Sequence, residues 1–278
     1  MKKYDLHTHT HYSDGVLSPI ELLKKAEKLK LAGVAITDHD SIDGFCEIFK
    51  ESKKYNIELI PGVEIQGLET EILGYFFNKE DNALNLLLEK HRIQRKKYVL
   101  KKIEGLSNYG IDIDYKEVLS KSGIGQNPNA YHIAKTIVEK GYAQDIDSAF
   151  KEYIRNIPVR LEVPPTRVKR IIQIIRDAGG KAVLPHPWYL KNFQKAELES
   201  FIIKLVQEGL SGIEVIGYIP EEFENYKNNS FIDKIKELTK KYELIETAGS
   251  DFHGDNTHEN NILGKYTTSQ KTINFLKK

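Results

Sequence analysis

Apolar residues recur along the chain in two alternating registers. Short apolar runs at Lys3 to Leu6, Val34 to Thr37, Glu58 to Val63, Ile72 to Phe77, Lys181 to Leu184, Gly212 to Ile216 and Leu244 to Thr247 have the length and bounding residues of strands. Longer stretches between them place apolar residues at helical spacing: Leu22 to Leu31, Phe45 to Tyr55, Arg167 to Ala178, Glu197 to Glu208 and Phe231 to Lys240. The first helix has a well-specified start, with Ser18 as N-cap, Pro19 in the first turn and Glu21 completing a capping box; Gly33 is expected to end it. Gly179-Gly180 stops the helix before Lys181 to Leu184. Seven strands alternating with helices predict a parallel α/β sheet with helical crossovers.

Residues 79 to 162 break this rhythm. Ala83 to Leu106, Ala130 to Lys140 and Ile146 to Ile154 read as helices with polar joints, so an inserted helical subdomain is expected at 79–162, with residues 1–78 and 163–278 forming the α/β unit. No internal repeat or low-complexity tract argues for a solenoid.

Composition adds mainly exclusions. An apolar fraction of 40% and a charged fraction of 29% are ordinary for a globular chain of 278 residues. No apolar run approaches the ~20 residues of a membrane span, and the polar N-terminus lacks the core of a secretory signal, so a cytoplasmic protein without membrane attachment is expected. A net charge of +1 gives no global pull on nucleic acid. The single cysteine, Cys46, excludes an internal disulfide and any paired-cysteine metal site. Nothing in the chain points to an obligate protein partner.

The chemistry gathers at the strand ends. His7, His9, His39, Glu64, His186, Asp251 and His253 each fall at or just past the C-terminal end of an expected strand, the face where parallel α/β sheets and barrels build their sites. His7 and His9 sit two apart, so extended backbone points both imidazoles to one side; Asp251 and His253 repeat the spacing. Imidazole and carboxylate without thiolate suit Mn²⁺, Fe or Zn²⁺. A lone histidine after a strand is ordinarily a capping or core residue. Seven coincident ionisable groups are hard to explain by packing, because buried charges need partners.

The segments DLHTHT with Ser13-Asp14-Gly15, AITDHD around His39, PGVEI around Glu64, GGKAVLPHP around His186 and GSDFH around Asp251 resemble the PHP (polymerase and histidinol phosphatase) superfamily over nearly the whole chain. Within it the chain is similar to stand-alone phosphoesterases that act on nucleotides and short RNA ends. The resemblance implies a distorted seven-stranded TIM-like β/α barrel and two to three divalent ions. His7, His9, Glu64 and Asp251 would form the first site, bridging Glu64 and His186 the second, and Asp14, His39 and His253 the third. Glu71 stands where the family usually has a histidine, and is expected in the second site through oxygen. Asp5 and Asp40 would orient ligand imidazoles.

The expected chemistry is phosphate ester hydrolysis through a metal-bound water or hydroxide, carried by His7, His9, Glu64, Asp251 and His253. Between Lys90 and Lys102 the chain has seven basic residues and no acidic one. Much of this reads as a solvated helix face, while Arg92 and Arg95 match family arginines suited to a second phosphate. His132 matches a family histidine on the insertion, and Arg160 is a further guanidinium near where the insertion rejoins the barrel. Trp188 and Tyr189 are placed to flank a base or to pack the barrel rim. The expected substrate is a 3′,5′-bisphosphorylated nucleoside or a short RNA 5′ end. Histidinol phosphate is the alternative substrate, and a non-catalytic metal-binding domain is the alternative of another class.

Overall fold

The structure, a computed structural model, describes residues 2–125, 127–159, 165–190, 195–219, 229–254 and 261–278. Among the described residues eight strands form one sheet: β1 (Lys3–Asp5), β2 (Gly33–Ile36), β3 (Glu58–Gln66), β4 (Glu71–Tyr75), β5 (Lys181–Leu184), β6 (Gly212–Ile216), β7 (Ile245–Ala248) and β8 (Thr268–Ser269). Their order is β7-β6-β5-β4-β3-β2-β1-β8. The two open sides meet through irregular backbone beyond the strand ends. Leu6 N donates to Ala248 O, Phe252 N to His7 O and His9 N to Phe252 O, at 3.2, 3.4 and 2.8 Å, so the sheet curls into a nearly closed barrel.

Two features depart from the all-parallel, seven-stranded expectation. β4 runs antiparallel to both β3 and β5. Only residues 67–70 separate β3 from β4, too few for the dozen or more that a parallel crossover needs, so the chain turns back as a hairpin. The eighth strand is the two-residue β8, antiparallel to β1.

The helices are α1 (Pro19–Lys28), α2 (Asp43–Ile48), α3 (Asn82–Ser107), α4 (Tyr115–Lys121), α5 (Ala130–Glu139), α6 (Ile146–Glu152), α7 (Val168–Asp177), α8 (Lys195–Gln207), α9 (Asn229–Lys241) and α10 (Gln270–Leu276). α1 starts as expected: Ser18 Oγ accepts from Glu21 N, and Glu21 accepts in return from Ser18 N at 2.8 Å. It ends earlier than Gly33 would suggest, at Lys28, with Lys30 left-handed at φ 57°. Gly33 instead opens β2, where a side chain would meet the ring of Tyr4. The expected helix from Phe45 to Tyr55 is α2 followed by a short 3-10 turn at Glu51–Lys54.

Burial explains the layering. Tyr4, Leu6, Ala35, Ile60, Leu73, Tyr75 and Val183, from five neighbouring strands, meet in one apolar cluster joined by Ile273 and Leu276 of α10. α7, α8 and α9 pack their apolar faces with Val63, Ile65 and Ile72, and α1 and α2 cover β2. α3 is 26 residues long and serves two cores. Its first turns bury Leu84, Leu87 and Leu88 with the barrel helices, whereas Val99 and Leu106 join Val118, Ile133, Ile137 and Ile154 in a separate cluster with α4 to α6. No helix among the described residues is long and apolar enough to cross a membrane.

Candidate metal centre

The first two candidate ligands owe their aim to the residue between them. Thr8 faces away and donates to Ala35 O at 2.6 Å, while Thr37 N donates to Thr8 O, tying this stretch to β2. His7 and His9 are thereby turned together to the other side, both fully buried. The following turn is held by Asp38, which accepts from Thr10 N and Thr10 Oγ1 at 2.6 Å and from Ser13 Oγ at 2.8 Å. Asp14 is carried on that turn to 3.9 Å from His9 Nδ1.

Register places the two glutamates. Glu64 of β3 pairs with Leu73 of β4, and Glu71 lies two residues from Leu73, so both carboxylates share one face of the hairpin. His39 follows β2 and bridges to Glu64; His186 follows β5, and Asp251 and His253 follow β7. Asp40, His186 and Asp251 have left-handed backbone, at φ 51°, 27° and 54°. Such conformations cost on the order of 1–3 kcal/mol each and persist where the surroundings demand them.

The side chains converge on four overlapping groups that share His7, His9, His39 and Glu64. Nε2 of His7 and Nε2 of His9 each lie 3.4 Å from Glu64 Oε2, and 3.3 and 3.2 Å from Asp251 Oδ1. The other Glu64 oxygen is 3.0 Å from His186 Nε2, which is 3.4 Å from Glu71 Oε2. His39 Nδ1 lies 3.1 Å from Glu64 Oε2 and 3.8 Å from Glu71 Oε1. Asp14 stands 3.3 Å from His253 Nε2 and 3.7 Å from His39 Nε2. His39 thus faces Glu64 and Glu71 through one nitrogen and Asp14 through the other.

Packing five imidazoles against four carboxylates shifts their protonation. Burial opposes charge on His186 and His253, yet Glu64 raises His186 to about 9, and Asp14 raises His253 to about 10. His7 also rises, against its burial, through Glu64, Asp251 and Glu214. His9 goes the other way, to about 4, because burial and the neighbouring His253 both disfavour its cation. Asp14, Glu64 and Asp251 are held below the ordinary carboxylate range by these imidazoles, despite burial, while burial and the charge of Glu64 push Glu71 up.

The donor set fits divalent ions. His7 Nε2, His9 Nε2 and Asp14 Oδ1 are buried without a hydrogen-bond partner, an arrangement that is costly unless something cationic completes it. Combinations such as His7, His9 and Asp251, or His39, Glu64 and Glu71, bring one ligand atom each within 4.8 Å of one another. Nitrogen with oxygen and no sulfur is the set that Mn²⁺, Fe and Zn²⁺ accept.

Around the cluster, the expected substrate residues divide. Arg95 of α3 lines a cavity of about 480 Å³ together with Asp14, His39, Glu71, Tyr98, Tyr131 and Phe150. Its guanidinium pairs with Asp40, and its Nε is buried without a partner. Arg92 is half exposed, pairs with Glu89 on its own helix and lines a separate small crevice. His132 is buried in the cap of α5, its Nδ1 accepting from Asn129 N at 3.0 Å, and burial lowers it to about 4. Trp188 is buried against Gly217, whereas Tyr189 is partly exposed, its ring nearly perpendicular to that of His186 at 4.7 Å between centroids. Arg160 lies outside the described residues.

The imidazole-orienting carboxylate differs from expectation. Asp5 accepts from Ser250 N and Gly264 N at 2.9 and 2.8 Å, and so organises backbone rather than a ligand ring. Asp40 binds His91 Nδ1 at 2.8 Å and Arg95, both on α3. The carboxylate beside His7 Nδ1 is Glu214, at 3.3 Å. Sequence reasoning passed over Glu214, and the one signal was a charged residue in the middle of the apolar strand GIEVI. Asn129 was likewise missed: it caps α5 and donates to Asp14 at 2.6 Å.

A curled α/β sheet carrying these imidazoles and carboxylates on one rim suits metal-dependent hydrolysis, and the relatives put the chain among the metal-dependent phosphoric ester hydrolases. Residues 5–164 match the PHP domain, and the chain belongs to that family. It is 30% identical over 259 residues to the 5′-3′ exoribonuclease of Haemophilus influenzae, covering 91% of this chain and 90% of that protein. It is 26% identical over 258 residues to the 3′,5′-nucleoside bisphosphate phosphatase of Chromobacterium violaceum, covering 91% and 88%. Among solved structures, a candidate metal-dependent phosphoesterase of Bifidobacterium adolescentis superposes with a TM-score of 0.83 at 25% identity, over 98% of this chain and 94% of that one.

Proposed function

We propose that the chain is a cytoplasmic phosphoesterase of nucleotides, acting on 3′,5′-bisphosphorylated nucleosides or on short RNA 5′ ends. The observation that carries this reading is the continuity of the ligand cluster with the aromatic-walled cavity. Asp14, His39 and Glu71 form part of that cavity's lining, and Arg95, Tyr98 and Tyr131 form another part. A phosphate at the cluster would thus have a guanidinium and π-faces beside it, which suits a nucleotide better than a small phosphorylated alcohol.

Divalent ions held among these carboxylates and imidazoles would supply the positive charge that a phosphate dianion needs. His7, His9, Glu64 and Asp251 would hold one divalent ion, Glu64, Glu71 and His186 a second, and Asp14, His39 and His253 a third. Mn²⁺, Fe or Zn²⁺ bound there would polarise phosphoryl oxygens and make a coordinated water more acidic. The protein's own part is to hold these nitrogens and oxygens in place, and to keep Arg95 poised through Asp40 at the cavity wall. Residues 79–162, of which the end of α3 and α4 to α6 share a separate core, would act as the substrate cap, α5 reaching the cluster through Asn129.

A phosphatase panel with added Mn²⁺ tests the reading. Turnover is expected on 3′,5′-bisphosphorylated nucleosides or on 5′-phosphorylated short RNA. Fast turnover of histidinol phosphate with none on either nucleotide substrate would overturn it.

A further inference from the structure

Glu214 is a buried carboxylate, 1% exposed, in the interior of β6. A side chain of this kind is costly unless its oxygens are satisfied. Its two oxygens lie 3.3 and 3.4 Å from His7 Nδ1, and Oε2 accepts from the backbone N–H of His186 at 2.9 Å. The buried hydroxyl of Tyr75 is committed elsewhere, donating to Leu6 O at 2.7 Å. The fold makes room for this arrangement. The β6–β7 ladder shifts register between Glu214 and Ile216, a local irregularity of the kind that re-aims side chains, and at Gly249 a Cβ would meet Glu214 Oε1 at 2.9 Å and His7 Cβ at 2.3 Å.

We propose that Glu214 is a positioning residue for the metal centre, acting through His7 and His186 rather than touching ion or substrate. By accepting the Nδ1 proton of His7 it leaves the Nε2 lone pair directed at the space shared with Glu64 and Asp251. By accepting from His186 N it holds the left-handed turn at φ 27° that aims Nε2 of His186 at Glu64 and Glu71. One carboxylate therefore orients a ligand on each side of bridging Glu64. The inference rests on reading the cluster as an ion site, but it adds a residue that holds the ligands and binds no ion itself.

Glu214→Gln keeps the volume and puts an amide N–H where a carboxylate oxygen faced His7 Nδ1. An amide donor there favours the tautomer with the proton on Nε2, which cannot bind a cation. The full-length protein is stripped with chelator, and Mn²⁺ affinity is measured by equilibrium dialysis with metal analysis, beside the thermal midpoint of the stripped form. E214Q is expected to bind Mn²⁺ about 10- to 100-fold more weakly at its tightest site, with a midpoint within a few degrees of the parent, and Glu214→Asp to fall between. Equal Mn²⁺ affinity in E214Q and the parent would overturn the proposal while leaving the ion-site reading intact. A parent protein that binds no divalent ion would remove both. If E214Q does not fold, nitrogen NMR of the Zn²⁺-loaded parent decides. The proton of His7 on Nδ1 with the metal-shifted signal at Nε2 supports the assignment, and the reverse pattern sinks it.

Discussion

Each ionisable group in the centre is tolerable only because of its neighbours, and single substitutions should expose that dependence. His39→Ala removes a ring that faces Glu64 and Glu71 through one nitrogen and Asp14 through the other. Asp251→Ala removes an oxygen 3.3 and 3.2 Å from His7 and His9. Metal stabilisation of a phosphoryl transition state is worth several kcal/mol, so both should lower kcat/KM by about 10²-fold or more. Circular dichroism should still report a folded chain. Glu71→Ala is expected to lower the number of ions retained after dialysis by one, as read by metal analysis. An unchanged count would place Glu71 outside the ligand set.

Protonation adds a residue-scale test. In the chelated protein His186 and His253 have folded-state pKa values of about 9 and about 10, both above the ordinary imidazole value of 6.5. A raised pKa means that the folded state binds the proton more tightly, so their contribution is fully present below pH 6.5 and is lost as pH rises through about 9 to 10. His9, lowered to about 4, opposes this only below pH 6.5. Denaturant titrations of chelated protein should therefore show stability falling across that alkaline window. Ion affinity should rise with pH, because metal and protons compete for the same nitrogens.

At the scale of elements, the helices divide between support and reach. α1 is a supporting helix, and Ser18→Ala should cost about 0.5–2 kcal/mol by removing its capping box, with activity unchanged at temperatures where the protein stays folded. α5 combines both roles, since Asn129 accepts from Tyr131 N and donates to Asp14. Asn129→Ala should cost a similar amount of stability and also lower kcat, which a stability loss alone would not do in the folded range. The strands and most helices were legible in the sequence, because alternation and caps are local signals. The direction of β4 was not inferred, although the brevity of residues 67–70 carried it. The end of α1 was also misplaced, since Gly33 reads equally as a helix stop or as a strand residue beneath an aromatic ring.

For the whole molecule, ions and fold should be coupled. Residues that follow β1, β2, β5 and β7 meet those of the β3–β4 hairpin at one centre, so ion binding there would tie these six strands together. Ligand at about 100-fold above its Kd stabilises by about 2.7 kcal/mol, which for a domain of 150–250 residues is worth about 2–4 °C per kcal/mol. Chelation should therefore lower the thermal midpoint by several degrees, and added Mn²⁺ or Zn²⁺ should restore it.

The sequence by itself determined which residues sit at strand ends and that no sulfur joins them. Those facts follow from spacing and residue type, and they were enough to nominate His7, His9, His39, Glu64, His186, Asp251 and His253 as one constellation. Tertiary structure alone decided how that constellation is oriented. Glu214 rather than Asp5 stands behind His7, Asp40 is committed to His91 and Arg95 of α3, His132 is spent on a helix cap, and Arg95 rather than Arg92 faces the cavity. The physical reason is that hydrogen-bond partners of buried groups are set by contacts between residues remote in sequence; Glu214 and His7 are 207 positions apart. No periodicity in a chain records which of two carboxylates will be nearest once a sheet has curled.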